Sequence, residues 1–304
     1  MWDDIIPSNA ELQGVHGIYL FLGLFTASFG LVSLIIKDYL FMSEAFVAAL
    51  FGVIVGPNGI NVFRPSVIFG DSMFTVLLEL SRLVIAVQCM AAGISTPGNY
   101  VWKQRYCLAI ILGPIMLCMF LVSGLGIKLI LGYSWVESML IGACITPTDP
   151  VLANSIVKGN FASKHIPLHV RLLLSAESAA NDGLGLTFLY IPLYLSRFTL
   201  PGNGIGYWIL NVVIYQVLLS VLIGALIGTA SRYFLFHAQR RNWIDKESLL
   251  GFSIALALIV CGTVSLLGSD DILACYAAGL ALSWDSWINE QISESHIQGT
   301  TIFN

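Results

Sequence analysis

Two carboxylates in apolar surroundings are the residues of this chain best placed to do chemistry. Asp182 closes the polar run Glu177-Ser178-Ala179-Ala180-Asn181-Asp182-Gly183 inside an otherwise apolar stretch, 171–195. Upstream, a second apolar stretch is broken by Thr146-Pro147-Thr148-Asp149-Pro150. A charged side chain at the centre of a membrane helix costs about 2.5–3.5 kcal/mol on insertion scales, so by default it marks an ion or proton path. Two polar breaks this close together point to one site. Its chemistry is binding, not bond-making. Burial raises a carboxyl pKa towards neutrality and a nearby cation lowers it. One group then holds a proton or an alkali ion, but not both well. Competition of this kind, combined with alternating access, gives exchange with no cofactor and no covalent step, so the chain does not read as an enzyme.

The elements that carry these residues must be unusual helices. Pro147 and Pro150 remove two backbone donors and disfavour helix at the residues before them, so the stretch is expected to unwind near its middle. Freed carbonyls and half-helix ends in a bilayer are tolerated where they line a cavity or are buried in protein, and broken helices build midplane ion sites. The oxygens of Thr146, Thr148 and Asp149 are hard donors that suit a small alkali cation. Transient contacts of such a cation are expected at Asp182 and Asp149. A plain proline kink, with Asp149 capping the half-helix after it, is the alternative. Downstream, Arg171, Ser175, Ser178 and Asp182 share one helical face. At 1.5 Å per residue that stripe climbs roughly 16 Å, as a hydrated half-channel to Asp182 would. Glu177 and Asn181 form a second polar edge beside it. Interhelical hydrogen bonding is the alternative for this face.

Other charges carry weaker signals. Glu79 and Arg82, three apart, read as a mutually neutralising pair. Lys128 lies near a span end and is expected to snorkel. Asp270-Asp271 reads either as an acidic outer turn or shallow membrane pair that concentrates cations at the external mouth, or equally as a solvated loop. His165 and His169 read as loop residues. The six cysteines are scattered and read as small apolar fillers, neither a disulfide framework nor a metal site.

Composition sets the class. Hydrophobic residues make up 57% of the chain and charged ones 11%, with a mean hydropathy of +0.83. A soluble domain of this length needs a more polar surface, and no period-2 pattern suggests a barrel. The expected fold is an all-α polytopic membrane protein in a lipid bilayer. Nine spans are predicted at 15–36, 41–55, 73–94, 107–131, 136–157, 172–195, 207–231, 249–267 and 272–284. Residues 1–14 form an N-terminal segment, and 285–304 a C-terminal cytosolic stub. No basic n-region marks a removable leader, and no basic run suggests nucleic acid. Loops after odd-numbered spans hold Lys37, Lys103, Arg105, Lys158, Lys164, Arg171, Arg232, Arg240, Arg241 and Lys246; loops after even-numbered spans hold Arg64 and Arg197. The positive-inside bias places the odd loops in the cytosol and the N-terminus outside.

With these residues in hand, the chain resembles the monovalent cation:proton antiporters, and more narrowly the fungal plasma-membrane sodium/proton antiporters. The resemblance rests on Phe51-Gly52-Val53-Ile54-Val55-Gly56-Pro57, on Leu78-Glu79-Leu80-Ser81-Arg82, on the run from Gly142 through Thr146-Pro147-Thr148-Asp149-Pro150 to Ala153, on the run from Arg171 to Gly183, and on Ser269-Asp270-Asp271. It implies that Asp182 is the proton/cation carboxylate with Asn181 as partner, that Thr146, Thr148 and Asp149 belong to an unwound crossing helix, and that Glu177, Ser178, Arg171, Asp270 and Asp271 support the site. It also implies a homodimer of inverted repeats in which residues 107–195 carry transport helices. Na⁺ or Li⁺, sometimes K⁺, would leave the cell against inward H⁺ flow. The family core has 12 or 13 spans, so the resemblance further implies a C-terminally truncated chain. A non-transporting fragment with a dimerisation or regulatory role is the second expectation.

Overall fold

The computed structural model describes residues 15–39, 44–61, 63–148, 153, 164–198, 201–241, 243 and 246–285. Every regular element among them is helical. In chain order these are α1 (Val15–Tyr39), α2 (Glu44–Val55), α3 (Pro65–Ser95), α4 (Gly98–Lys103) and α5 (Arg105–Leu131). They continue as α6 (Trp135–Cys144), α7 (Leu168–Arg197), α8 (Gly202–Arg240), α9 (Lys246–Leu266) and α10 (Asp271–Leu282).

The chain divides into two compact units, one of residues 1–82 and 154–166 and one of residues 83–153 and 167–304. In the first, α1 and α2 pack through Phe25, whose ring lies 5.0 Å from that of Phe51. A turn after α2 reverses the chain through Asn61, at φ 59°, whose Oδ1 accepts from Arg64 Nε at 2.7 Å. Glu79 and Arg82 meet at 3.5 Å as the expected pair.

The second unit is built by close backbone approach. A Cβ placed on Gly224 or Gly228 of α8 would lie 2.2 Å from the carbonyl oxygen of Ala274 or Ala278 of α10, respectively. Gly93 of α3 and Gly279 of α10 meet in the same way, with a Cβ on either falling 3.0 Å from the other's Cα. Small residues let helix backbones come together where lipid supplies no hydrophobic drive. The main core cluster surrounds this seam, with Met90, Leu256, Val260 and Val264 closing on Ala274 and Ala278.

Two helices widen to π geometry. In α5 the turn Ile111–Ile115 contains Pro114, and the wider turn absorbs the donor that proline lacks. In α8 the segment Ile209–Leu218 is π-helical without a proline. The carbonyls of Tyr215 and Gln216 there both accept from Ser269 Oγ at 3.0 Å, and Tyr215 Oη donates to Leu267 at 2.6 Å. The widened segment is therefore fastened to the turn that launches α10.

The expected all-helical fold stands, with shifts at the ends of elements. Among the described residues, α3, α5 and α8 are long and apolar enough to cross a membrane, at 31, 27 and 39 residues. The long α-helix of α3 begins at Met73 as expected; before it lie a short helix at Pro65–Phe69, which ends where Gly70 takes φ 50°, and a 3-10 turn at Gly70–Ser72. Helix α8 runs nine residues past the expected 231. Helix α7 has 30 residues but is not apolar enough to count as a span on composition. Its polar residues lower the average and face protein. Lys128 reaches out as expected, its Nζ on the Tyr133 carbonyl at 2.6 Å and 5.9 Å from the Trp135 ring.

Candidate functional site

The fifth expected span breaks where its prolines require. Helix α6 starts in a capping box, with Ser134 and Glu137 each accepting the other's backbone N–H, and stops at Cys144. Thr146, Pro147 and Thr148 are non-helical. The Thr148 N–H is thus left without an i−4 partner, and a donor freed in an apolar setting needs an acceptor. Asn181 of α7 supplies one: its Oδ1 accepts from Thr148 N at 3.2 Å. The same carboxamide donates through Nδ2 to Thr148 Oγ1 at 2.7 Å and to Glu177 Oε1 at 2.6 Å. Thr148 Oγ1 in turn lies 3.3 and 3.4 Å from the two Glu177 oxygens, and Ser178 Oγ donates to the Thr148 carbonyl at 3.5 Å. Both Asn181 and Ser178 are buried. Thr148, Glu177, Ser178 and Asn181 therefore form one network that clamps the broken end to α7.

Asp182 is the next residue along, partly buried, with Oδ2 4.0 Å from Cys89 Sγ of α3. Cys89 is fully buried and also donates to the Ala179 carbonyl at 3.8 Å. Two glycines let neighbours reach this level of α7. A Cβ on Gly185 would fall 2.7 Å from Pro147 Cγ, and one on Gly183 would fall 2.6 Å from Leu273 Cβ. So the broken segment and the first turn of α10 both abut the helix within three residues of Asp182. Tyr276 of α10 adds a buried hydrogen bond to the Ala176 carbonyl at 3.2 Å.

The remaining expected residues separate. Thr146 is buried, but its hydroxyl donates back to Gly142 in its own helix at 2.7 Å. Asp149 lies outside the described residues. Arg171, at the far end of the polar face, keeps a buried Nε without a hydrogen bond. Asp270 and Asp271 do not form a solvated loop, since each is only 6% exposed. Asp270 caps α10 by accepting from Leu273 N at 3.0 Å. Asp271 accepts from Ser265 Oγ at 2.7 Å and from Cys261 Sγ at 3.1 Å. Burial follows because α9 packs along α10 and covers the acids with its own donors. The reading of cysteines as apolar fillers is corrected at two positions: Cys89 and Cys261 each place a thiol beside a carboxylate. Sequence held no signal for this, because a buried thiol patterns like any small apolar residue. Among the described residues no cluster of three or more His, Cys, Asp or Glu side chains that could hold a metal ion occurs.

Comparison with known proteins agrees with this architecture. The family described as "Sodium/hydrogen exchanger, transmembrane" matches residues 23–303. The Na(+)/H(+) antiporter 2 of Zygosaccharomyces rouxii is 38% identical over 95% of this chain and 36% of its own length. The Na(+)/H(+) antiporter of Saccharomyces cerevisiae is 38% identical over 96% of this chain and 30% of its own. The chain thus spans about a third of the length of these curated relatives. Among solved structures, the sodium proton antiporter MjNhaP1 of Methanocaldococcus jannaschii superposes with a TM-score of 0.67 at 17% identity, over 92% of this chain and 66% of that one. That likeness carries the helical fold alone; the family match over residues 23–303 establishes that this chain belongs to the transmembrane sodium/hydrogen exchanger family.

Proposed function

We propose that this chain carries the ion site of a secondary antiporter that exchanges Na⁺ or Li⁺, with K⁺ as a further candidate, for protons. Asp182 is the exchanging carboxylate. The observation that carries the reading is the clamp beside it: an unwound helix end, Thr148, held against α7 by Asn181 and Glu177. That clamp sets hard oxygen atoms next to a carboxylate without a tight metal cage. A cation then displaces the proton of Asp182 and is displaced by it, and alternating access makes the competition an exchange. Asn181, Thr148 and Glu177 hold the geometry. Asp149, next to Thr148 in the sequence, and Thr146, just past the end of α6, are the further candidate oxygen donors, Ser178 and Arg171 line the α7 face, and Asp270 and Asp271 are acids at the entry of α10.

The same reading places the protein in the plasma membrane as a homodimer, with its N-terminus outside, residues 107–195 as the moving helices and 285–304 in the cytosol. The names of its relatives and the basic-residue bias support it. The test is Na⁺-driven proton movement in vesicles that contain the 304-residue chain, with Asp182→Asn run in parallel. Exchange by the chain and loss of exchange in the variant, with insertion unchanged, is the expected result. Full exchange by Asp182→Asn would refute the assignment. An inserted but silent unmutated chain would favour the second reading, a membrane assembly part that does not transport alone. That reading draws on the one-third share of the relatives' length.

A further inference from the structure

The far end of α8 holds a second set of residues that antiport leaves unused. Leu222, Leu226, Thr229, Tyr233, Phe236 and Arg240 follow one another at helical spacing along a single face. Leu222, Leu226 and Tyr233 are strongly exposed, at 57, 61 and 69%. Where the stripe passes Thr229 it opens into a cavity of about 330 Å³ lined also by Tyr233, Phe236, Arg232, Leu282 and Asp285. Arg232 is spoken for, its Nη1 on Asp285 Oδ2 at 2.9 Å. Arg240 is not. Its guanidinium lies 4.4 Å from the ring of Phe236, which itself lines the cavity. Arg241 lies likewise 5.0 Å from Trp243. Among the described residues neither guanidinium meets a carboxylate.

We infer that this face of α8 is a binding site for one anionic phospholipid. The phosphate is held by Arg240 and Arg241, and the acyl chain lies down the stripe past Tyr233 to Leu226. Charge complementarity selects the occupant: two ring-supported guanidiniums that meet no carboxylate among the described residues call for an anion, and a guanidinium presents a planar fork matched to phosphate oxygens. The apolar stripe that continues from them calls for a hydrocarbon tail. Dimensions agree, since the ten residues from Leu226 to Phe236 rise roughly 15 Å, about half the ~30 Å hydrocarbon thickness of a bilayer. Asp285 stands at the cavity edge and neutralises Arg232, which leaves the net positive charge at Arg240 and Arg241, where a headgroup lies. The inference does not depend on the exchange reaction.

The experiment is native mass spectrometry of the purified 304-residue chain, titrated with dioleoyl phosphatidylserine or dioleoyl phosphatidylcholine. Each arginine near a membrane surface contributes roughly fivefold, so a preference of about tenfold or more for the serine lipid is expected. The Arg240→Gln/Arg241→Gln variant should lose that preference while it still binds phosphatidylcholine, which shows that it remains folded. Lys103→Gln/Arg105→Gln, which removes two charges from another helix end, should keep it. A preference that survives in the first variant, or that falls equally in both, overturns the site in favour of none or of diffuse charge. Displacement of the lipid by an equal amount of soluble glycerophosphoserine overturns it too, since the stripe would then contribute nothing.

Discussion

Asn181 is the residue on which the clamp turns, because one carboxamide meets both the backbone donor and the side chain of Thr148 and also holds Glu177. Asn181→Ala strips the Thr148 N–H of its acceptor, and one hydrogen bond contributes about 0.5–1.5 kcal/mol net. The expected outcome is a Na⁺ half-saturation raised by roughly tenfold, since 1.4 kcal/mol is a factor of ten. Proton flux in vesicles across a range of Na⁺ concentrations checks it. Part of this arrangement was legible in the sequence. A polar residue amid apolar ones is conspicuous, and Glu177 and Asn181, four apart, had to be neighbours on a helix. That Thr148 was their partner was not, since spacing within one helix says nothing about which broken segment crosses it. The thiols of Cys89 and Cys261 were hidden for a different reason. They replace no conspicuous residue, and only the packing of α3 on α7 and of α9 on α10 brings them to carboxylates. Asp270 and Asp271 looked solvated because a Gly268-Ser269 turn precedes them; the donors that bury Asp271 come from α9, not from that turn.

Helices here are joined by what glycines omit. Gly228→Ala would set a Cβ 2.2 Å from a backbone carbonyl of α10, a clash that no rotamer relieves. Thermal unfolding of the purified protein should show it clearly destabilised. Gly262→Ala, in α9 with nothing within 4 Å, should be neutral or stabilising, because glycine inside a helix costs about 0.5–1 kcal/mol relative to alanine. Equal effects from the two would remove the seam from the explanation of the fold. Existence and order of the helices were readable from runs of apolar residues, and the break after Cys144 from its prolines. The π segment of α8 was not, since Ile209–Leu218 contains neither proline nor glycine and its widening answers to Ser269, a residue more than fifty positions on.

At the scale of the whole molecule, the proposed orientation rests on the basic-residue bias of the sequence. A protease site inserted after Arg241 should be cut only from the cytosol, and one inserted after Asn58 only from outside; the opposite pattern would invert the proposed orientation. Beyond topology, the fold depends on keeping the two halves of α8 in phase. Its first turns are set by Trp208, whose Nε1 donates to the Thr187 carbonyl at 2.9 Å, and its later turns by Gly224 and Gly228 on α10. Between them a π turn stores extra residues for the same rotation. Helix α8 should therefore tolerate shortening at one place only. Loss of Ile214 can be taken up by relaxation of the widened segment to an ordinary helix, with both halves still facing their partners. Loss of Val221, about two turns later, swings the glycines about 100° away from α10 and leaves the chain inserted but unassembled.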